Sequence, residues 1–220
     1  MTAPNVPARA RQGVDDESIT EWLMLHKREV TWALMAVAVI VLGLWYYQRS
    51  QSLLSQRAEA QYFQARQAQA AGNLPLAVSD LQKVATRYEG TQAGTQAALS
   101  LSQALYDQKK YKEGIAALQK AEAKAPDDFK PSVHTLEAVG YEQLKDFVNG
   151  AEQYKVAATV TRFAADKSQY KAAAARDYQA AGKTAEAAAI WTELAKEETG
   201  PIASEAKVRL GEVTAKPMST

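Results

Sequence analysis

An uncharged stretch of eighteen residues lies near the N-terminal end of the sequence, where Val30 to Tyr47 reads VTWALMAVAVIVLGLWYY. As a helix this stretch would be about 27 Å long, close to the roughly 30 Å hydrocarbon core of a bilayer. Aromatic rings favour the interface between membrane and water, and they occur at both ends of the stretch: Trp32, Trp45, Tyr46 and Tyr47. The pattern predicts a transmembrane helix over residues 30–47.

Small side chains within this stretch would let another membrane helix approach closely. They are Ala33, Ala36, Ala38 and Gly43. We predict that they pack against an integral membrane partner; the alternative is that Ala and Gly are simply frequent in membrane helices. A cleaved signal peptide would end in small residues, whereas this run continues into Gln48 and Arg49. The sequence therefore favours a permanent anchor.

The residues before the anchor divide into two segments. Residues 1–17 are predicted to be a flexible tail. Ser18 and Glu21 have the spacing of a capping box, which predicts an amphipathic juxtamembrane helix over residues 18–29. Trp22 would then be a further interfacial anchor, although a plain helical lead-in to the span explains the spacing equally well.

The orientation of the anchor depends on its flanking charges. Three basic residues lie within about 20 residues of the span on each side, so the positive-inside rule alone gives a tie. Lys27 and Arg28 are the closest to the apolar run, and a long C-terminal domain can translocate despite its charges. We predict a cytoplasmic N-terminus and a C-terminal domain on the other side of the membrane.

Beyond the anchor, small and large residues recur with a period of 36 or 37 residues. Small residues lie at Ala77, Gly114, Gly150 and Ala187. Large residues follow four positions later, at Leu81, Leu118, Tyr154 and Trp191. Further small residues lie twelve positions before the first set, at Ala65, Ser102, Ala138 and Ala175. Small residues at two fixed places let paired helices approach closely, and the large ones fill the groove between successive pairs.

Turn signals divide each period into two helices. Hairpin turns are predicted near Gly72-Asn73, Lys109-Lys110, Lys145-Asp146 and Gly182-Lys183. Boundaries between units are predicted near Glu89-Gly90, Pro126 to Asp128, Arg162 to Asp166 and Gly200-Pro201. No alternating run of β-branched residues predicts a strand.

The fold class is therefore all-α: one transmembrane helix, a solenoid of about four degenerate helical hairpins and a capping helix. The repeat domain is expected over residues 48–216, followed by a tail at 217–220. Because no Gly or Pro occurs between Tyr47 and Gly72, one unbroken helix is expected over about residues 30–71.

Composition excludes several kinds of chemistry. The sequence has 26 Lys and Arg against 25 Asp and Glu, without the basic excess of a nucleic-acid binder. It has no cysteine and only two histidines. His26 borders the predicted span and His134 lies in a repeat, so they cannot form a metal pair without another chain. We expect no enzymatic activity, no cofactor, no metal, no small-molecule substrate and no nucleic acid.

The phased small and large residues resemble the tetratricopeptide repeat family over about residues 58–200. The match is degenerate, because the family's first-helix tryptophan position holds Gln61, Ala98, His134 and Lys171. The resemblance implies that the first helix of each pair lines a concave surface that binds protein partners. The partner-binding residues it implies are Tyr62, Arg66, Leu99, Gln103, Tyr106, Val139 and Arg176.

The layout as a whole resembles a narrower family, YfgM. The acidic residues 15–17, the anchor ending in Gly43 to Tyr47 and the C-terminal repeats carry this resemblance. It implies a bacterial inner-membrane protein with periplasmic repeats, accessory to the Sec translocon or to periplasmic chaperones. The alternative is a structural subunit of another membrane complex, such as a respiratory or photosynthetic assembly. Either way the partners would be membrane lipid and other proteins, chiefly integral membrane subunits.

Overall fold

The computed structural model describes residues 24, 26–197 and 202–214, and no strand occurs among them. The chain divides into two compact units, residues 1–52 and 53–220. The helices are α1 Lys27–Ala70, α2 Leu74–Arg87, α3 Gln92–Asp107, α4 Tyr111–Glu122, α5 Lys130–Gln143, α6 Phe147–Val160, α7 Ala164–Ala180, α8 Thr184–Ala195 and α9 Ala203–Thr214. A short 3₁₀ turn, Asp127–Phe129, precedes α5. The predicted all-α fold class is confirmed.

Helix α1 begins three residues before the predicted membrane span and is unbroken to Ala70. The expected single helix over about residues 30–71 is therefore present. In the first unit, residues 31–52 are exposed, so no described part of the chain covers the apolar run. The predicted tail at 1–17, most of the predicted juxtamembrane segment, with Trp22, and the tail at 217–220 lie outside the described residues.

In the second unit, each helical hairpin turns through one residue with positive φ. These residues are Gly72 (77°), Lys109 (60°), Lys145 (60°) and Gly182 (73°). The N–H of that residue donates a hydrogen bond to the carbonyl three residues earlier, and the next N–H donates to the carbonyl five residues earlier. In the second hairpin, for example, Lys109 donates to Tyr106 and Lys110 donates to Leu105, both at 2.8 Å. This is the Schellman arrangement, which satisfies the last carbonyls of a helix. All four turns lie where the sequence predicted them.

The repeat phasing corresponds to packing within the second unit. The predicted small residues Ala77 and Ala187, and the predicted large residues Leu81, Leu118 and Trp191, have no exposed surface. Buried side chains form three separate clusters, centred on α1 to α3, on α3 to α5 and on α5 to α9. Each hairpin buries its apolar face against its neighbours, as expected of a solenoid.

The boundaries between hairpins agree with the turn signals, with small differences. Thr91 caps α3, since its Oγ1 accepts a 3.0 Å hydrogen bond from the N–H of Gly94. Asp166 lies inside the first turn of α7 rather than in the preceding linker. Residues 198–201, with the predicted Gly200-Pro201 boundary, are outside the described part, and the capping helix is present as α9.

Candidate protein-binding groove

A surface groove lies between the last turns of α1 and the middle of α3. Its volume is about 870 Å³. The lining residues are Glu59, Tyr62, Phe63, Arg66, Gln67, Ala70, Gln96, Leu99 and Ser100. Three of the residues implied by the tetratricopeptide resemblance, Tyr62, Arg66 and Leu99, are thus brought together. We call this feature the first groove.

Helical periodicity determines which side chains line the first groove. On α1, Ala58 and Ala65 are fully buried against the core, so residues on the adjoining face line the groove. Tyr62 is half-buried, and its hydroxyl lies 3.1 Å from Ser100 Oγ on α3. This hydrogen bond links the two walls of the groove and holds the Tyr62 ring in place.

Phe63 gives the first groove an exposed aromatic side chain, with 65% of its surface accessible. Sequence reasoning did not place Phe63 among the partner-binding residues, although its position three residues before Arg66 puts both on one face of α1. Together with Leu99 it provides an apolar surface, and the exposed Arg66 provides a cation at the same place. Such a surface can take an apolar side chain of a partner together with a nearby carboxylate.

Tyr106 is a core residue, which corrects its prediction as a partner contact. Only 9% of Tyr106 is exposed, and its hydroxyl donates a 3.0 Å hydrogen bond to the carbonyl of Leu136. Burial raises its pKa to about 12. Gly114 and Gly140 lie directly against the ring, where a Cβ atom would overlap it. The absence of those two side chains gives the ring its space.

The other residues implied by the resemblance are spread along the solenoid. Gln103 is exposed but does not line the first groove, and Val139 is half-buried. Arg176 already has a partner, because it donates two hydrogen bonds, of 3.0 and 2.8 Å, to the carboxylate of Glu205 on α9. The arginine therefore links the fourth hairpin to the capping helix.

The residues predicted to lie in the membrane are exposed along α1. The four aromatic side chains at the ends of the run are between 63% and 72% exposed: Trp32, Trp45, Tyr46 and Tyr47. The four small residues are also exposed: Ala33, Ala36, Ala38 and Gly43. A Cβ atom at Gly43 would meet nothing within 4 Å. All eight are accessible to lipid or to another helix.

The structure also groups ionisable side chains that sequence reasoning left apart. Glu122, His134 and Glu137 form one group between α4 and α5. The only signal in the sequence was the His-x-x-Glu spacing of His134 and Glu137, which places both on one face of a helix. Burial, and secondly the charge of Glu122, raise the pKa of Glu137 to about 7.

A second buried carboxyl group, Asp177 on α7, lies against Gly150. Burial, and secondly the charge of Glu142, raise the pKa of Asp177 to about 7. Its Oδ2 atom has no hydrogen-bond partner among the described residues. This carboxyl group is buried inside the solenoid.

Known structures share this architecture. The nearly identical TPR-like repeats of a Podosopora anserina protein described as a kinesin light chain align with a TM-score of 0.54 at 15% identity, over 72% of this chain and 86% of that one. A single-residue variant of that protein gives the same TM-score at 16% identity, over 72% and 85%. A thermophilic TPR protein of Thermus thermophilus aligns with a TM-score of 0.46 at 20% identity, over 71% and 80%.

The two matches with a TM-score of 0.54 show a shared fold. No curated protein sequence matches the chain. The family model for the tetratricopeptide repeat-like domain matches residues 20–137, more than half of the 220 residues. Repeats of this kind typically serve as non-catalytic scaffolds for protein–protein interaction. The chain belongs to the tetratricopeptide repeat-like domain family.

Proposed function

We propose that this protein is a non-catalytic, membrane-anchored scaffold whose first groove binds a segment of a partner protein. The observation that carries the proposal is the exposed apolar surface of the groove, formed by Phe63 and Leu99 beside Arg66. Contiguous exposed apolar patches rimmed by polar residues often mark protein–protein interaction sites. The hydrogen bond between Tyr62 and Ser100 fixes part of this surface before a partner arrives, which lowers the entropic cost of binding.

Membrane anchoring is supported by the apolar run of α1. Among the described residues, one helix is long and apolar enough to cross a membrane, and none of its apolar window is buried. A core helix of a soluble protein would bury such a stretch against the rest of its own chain. We therefore propose a single-pass membrane protein. The resemblance to the YfgM family supports the bacterial inner membrane with periplasmic repeats, and Lys27 and Arg28 directly before the span support a cytoplasmic N-terminus.

The proposed partners are the Sec translocon and the periplasmic chaperones that receive exported chains. Their support is the resemblance of the layout to the YfgM family and the apolar groove, which suits an extended segment with an apolar side chain. The second candidate is a structural subunit of a respiratory or photosynthetic complex. It is favoured by the exposed small residues of the span, Ala33, Ala36, Ala38 and Gly43, which suit packing against an integral membrane subunit.

Site-specific photocrosslinking in native membranes tests the use of the first groove. A benzoylphenylalanine at Gln96, which lines the groove, should yield adducts with translocon subunits or a periplasmic chaperone. The same probe at the exposed Gln92, outside the lining residues, is the positional control. Adducts with respiratory or photosynthetic subunits would support the second candidate, and equal adducts at both positions would refute a role for the groove.

Truncation of the groove's apolar surface should then weaken the same adducts. We expect Phe63→Ala to reduce adduct yield about tenfold, as for an interface residue worth more than 1 kcal/mol. Leu76→Ala is the matched control, because Leu76 is also an exposed apolar residue but lies on α2, outside the groove. An equal yield from both variants would exclude Phe63 as a partner contact.

Replacing residues 30–47 by an unrelated apolar helix tests whether the span binds a partner or only tethers. Under the first candidate, co-purification of translocon subunits in mild detergent persists after the replacement, because the groove carries the contact. Under the second candidate, co-purification is lost while membrane localisation remains. Loss of membrane localisation itself would leave neither candidate function supported.

The cysteine-free sequence allows a direct test of topology. Ser79→Cys places one thiol on an exposed position of α2. A membrane-impermeant maleimide should label this variant in cells whose outer membrane is permeabilised. An Ala8→Cys variant should be labelled only after the inner membrane is broken. The reverse labelling pattern would reverse the proposed orientation.

A further inference from the structure

A cluster of possible metal ligands lies where the second and third hairpins meet. Glu122 is the last residue of α4, and His134 and Glu137 are one turn apart on α5. One ligand atom of each residue lies within 4.8 Å of the others. His134 Nε2 is 3.5 Å from Glu122 Oε1, and His134 Nδ1 is 3.9 Å from Glu137 Oε2. His134 and Glu137 are buried, whereas the side chain of Glu122 is 42% exposed.

A fourth residue, Gln153 on α6, orients the imidazole. Its Oε1 lies 2.8 Å from His134 Nδ1. With Nδ1–H donating to this amide oxygen, Nε2 carries the free lone pair and faces the Glu122 carboxylate. Metal-binding histidines are held in this way, with the nitrogen that does not bind metal donating to a carbonyl or carboxylate oxygen.

The second, independent observation is an unpartnered buried oxygen. Glu137 is 1% exposed, and its Oε1 atom has no hydrogen-bond partner among the described residues. A buried carboxylate oxygen without a hydrogen-bond partner carries a desolvation cost, and the neighbouring carboxylate of Glu122 adds repulsion. A bound cation would compensate both, because buried charges in proteins are either paired or coordinate metals.

We propose that Glu122, His134 and Glu137 bind one zinc ion. One imidazole nitrogen and two carboxylate oxygens form a three-ligand set, to which water adds the fourth position of a tetrahedral site. An imidazole ligand favours zinc and other transition metals over magnesium and calcium, which prefer oxygen ligands alone. The partly exposed Glu122 side chain can close the remaining distance. The ion would link α4 to α5 and so join the second hairpin to the third.

Zinc binding can be measured on the full chain in detergent micelles, purified with an affinity tag that contains no histidine. Titration calorimetry with zinc chloride should give saturable binding of one ion per chain. At about 100-fold excess over Kd, the Tm should rise by on the order of 5 °C. Magnesium and calcium chloride at the same concentration should leave the Tm unchanged.

Glu137→Gln and His134→Gln should each abolish this binding. Glu137→Gln retains the shape of the side chain and removes the buried charge, so the metal-free variant should fold, with a circular dichroism spectrum like that of the parent. Glu113→Gln on the exposed side of α4 is the matched control and should bind zinc as the parent does, as should His26→Gln. Absence of saturable zinc binding by the parent, or its persistence in folded Glu137→Gln, would overturn the proposal.

Discussion

Single atoms determine much of the packing in this chain, and the pair Gly114 and Gly140 shows how. A side chain at either position would overlap the Tyr106 ring. In an exposed helix, replacing Gly by Ala stabilises by up to about 1 kcal/mol, because Ala has the higher helix propensity. At these two glycines the steric cost outweighs that gain.

Gly140→Ala should therefore lower the free energy of unfolding by about 1–3 kcal/mol, the usual cost of overpacking. Gly211→Ala in α9 is the control, since a Cβ atom there meets nothing within 4 Å, and it should be neutral or stabilising. Urea unfolding followed by circular dichroism measures both. A stabilised Gly140→Ala would show that the Tyr106 ring moves at little cost.

Asp177 predicts a pH dependence of stability. Its pKa is raised by burial and by the charge of Glu142 on α5, with Tyr154 and Arg176 also close. An aspartate in the unfolded chain has a pKa of about 3.9. Between about pH 4 and pH 7 the folded chain therefore retains a proton that the unfolded chain has lost, so the contribution of Asp177 to stability falls as pH rises.

Asp177→Asn removes this titration. The free energy of unfolding of the variant, relative to that of the parent, should therefore be higher at pH 8 than at pH 5. Urea midpoints of both proteins at the two pH values test this. Asp107→Asn, which changes an exposed aspartate on α3, controls for the general loss of one carboxylate. A constant difference between Asp177→Asn and the parent at both pH values would contradict the prediction.

At the scale of helices and turns, the four hairpins share one turn geometry with two kinds of residue. Gly72 and Gly182 adopt positive φ without strain, whereas Lys109 and Lys145 place a Cβ atom in the left-handed region at a cost in energy. Because the hydrogen bonds of the four turns are the same, the backbone does not distinguish them. The two lysines are therefore the strained members of the set.

Lys109→Gly should stabilise the chain by up to about 1 kcal/mol, and Gly72→Ala should destabilise it by about the same amount. The opposite signs follow from one cause, the Cβ atom at positive φ. Thermal unfolding of the two variants beside the parent provides the measurement. A loss of stability in Lys109→Gly would mean that its side chain contributes more than the strain costs.

The elements were predictable from sequence because they depend on local chemistry and a fixed period. The Gly72-Asn73 and Lys109-Lys110 turns, and the burial of Leu118 and Trp191, followed from the spacing alone. Tyr106 was predicted as a partner contact because the tetratricopeptide resemblance puts its position on the concave surface. Its ring instead packs into the space left by Gly114 and Gly140. The grouping of Glu122 with Glu137 depends on how α4 meets α5, which no local pattern encodes.

Across the described part of the repeat unit, the buried side chains form three clusters rather than one. Trp191 is the largest fully buried side chain of the cluster that spans α5 to α9. Repeat proteins lose structure by neighbouring units rather than all at once. A large cavity in one cluster should therefore leave distant hairpins folded.

Trp191→Ala should lower stability by about 3–5 kcal/mol, the usual cost of removing a buried aromatic side chain. In hydrogen exchange, amides of α7 to α9 should lose protection, while those of α2 and α3 keep theirs. Leu81→Ala, which acts on the cluster of α1 to α3, should give the reverse pattern. Uniform loss of protection in either variant would show that the unit unfolds as a single cooperative domain.

Division of the core into three clusters also determines how the repeats would carry a mechanical load. A pull applied between residues 53 and 214 is borne by the hairpins in series, so the weakest interface yields first while the others hold. Each hairpin that yields releases up to about 120–130 Å of chain, at 3.3–3.6 Å per extended residue. A tethered partner that pulls on one end would thus unfold the hairpins one after another, each with a small gain in length, rather than the whole unit at once.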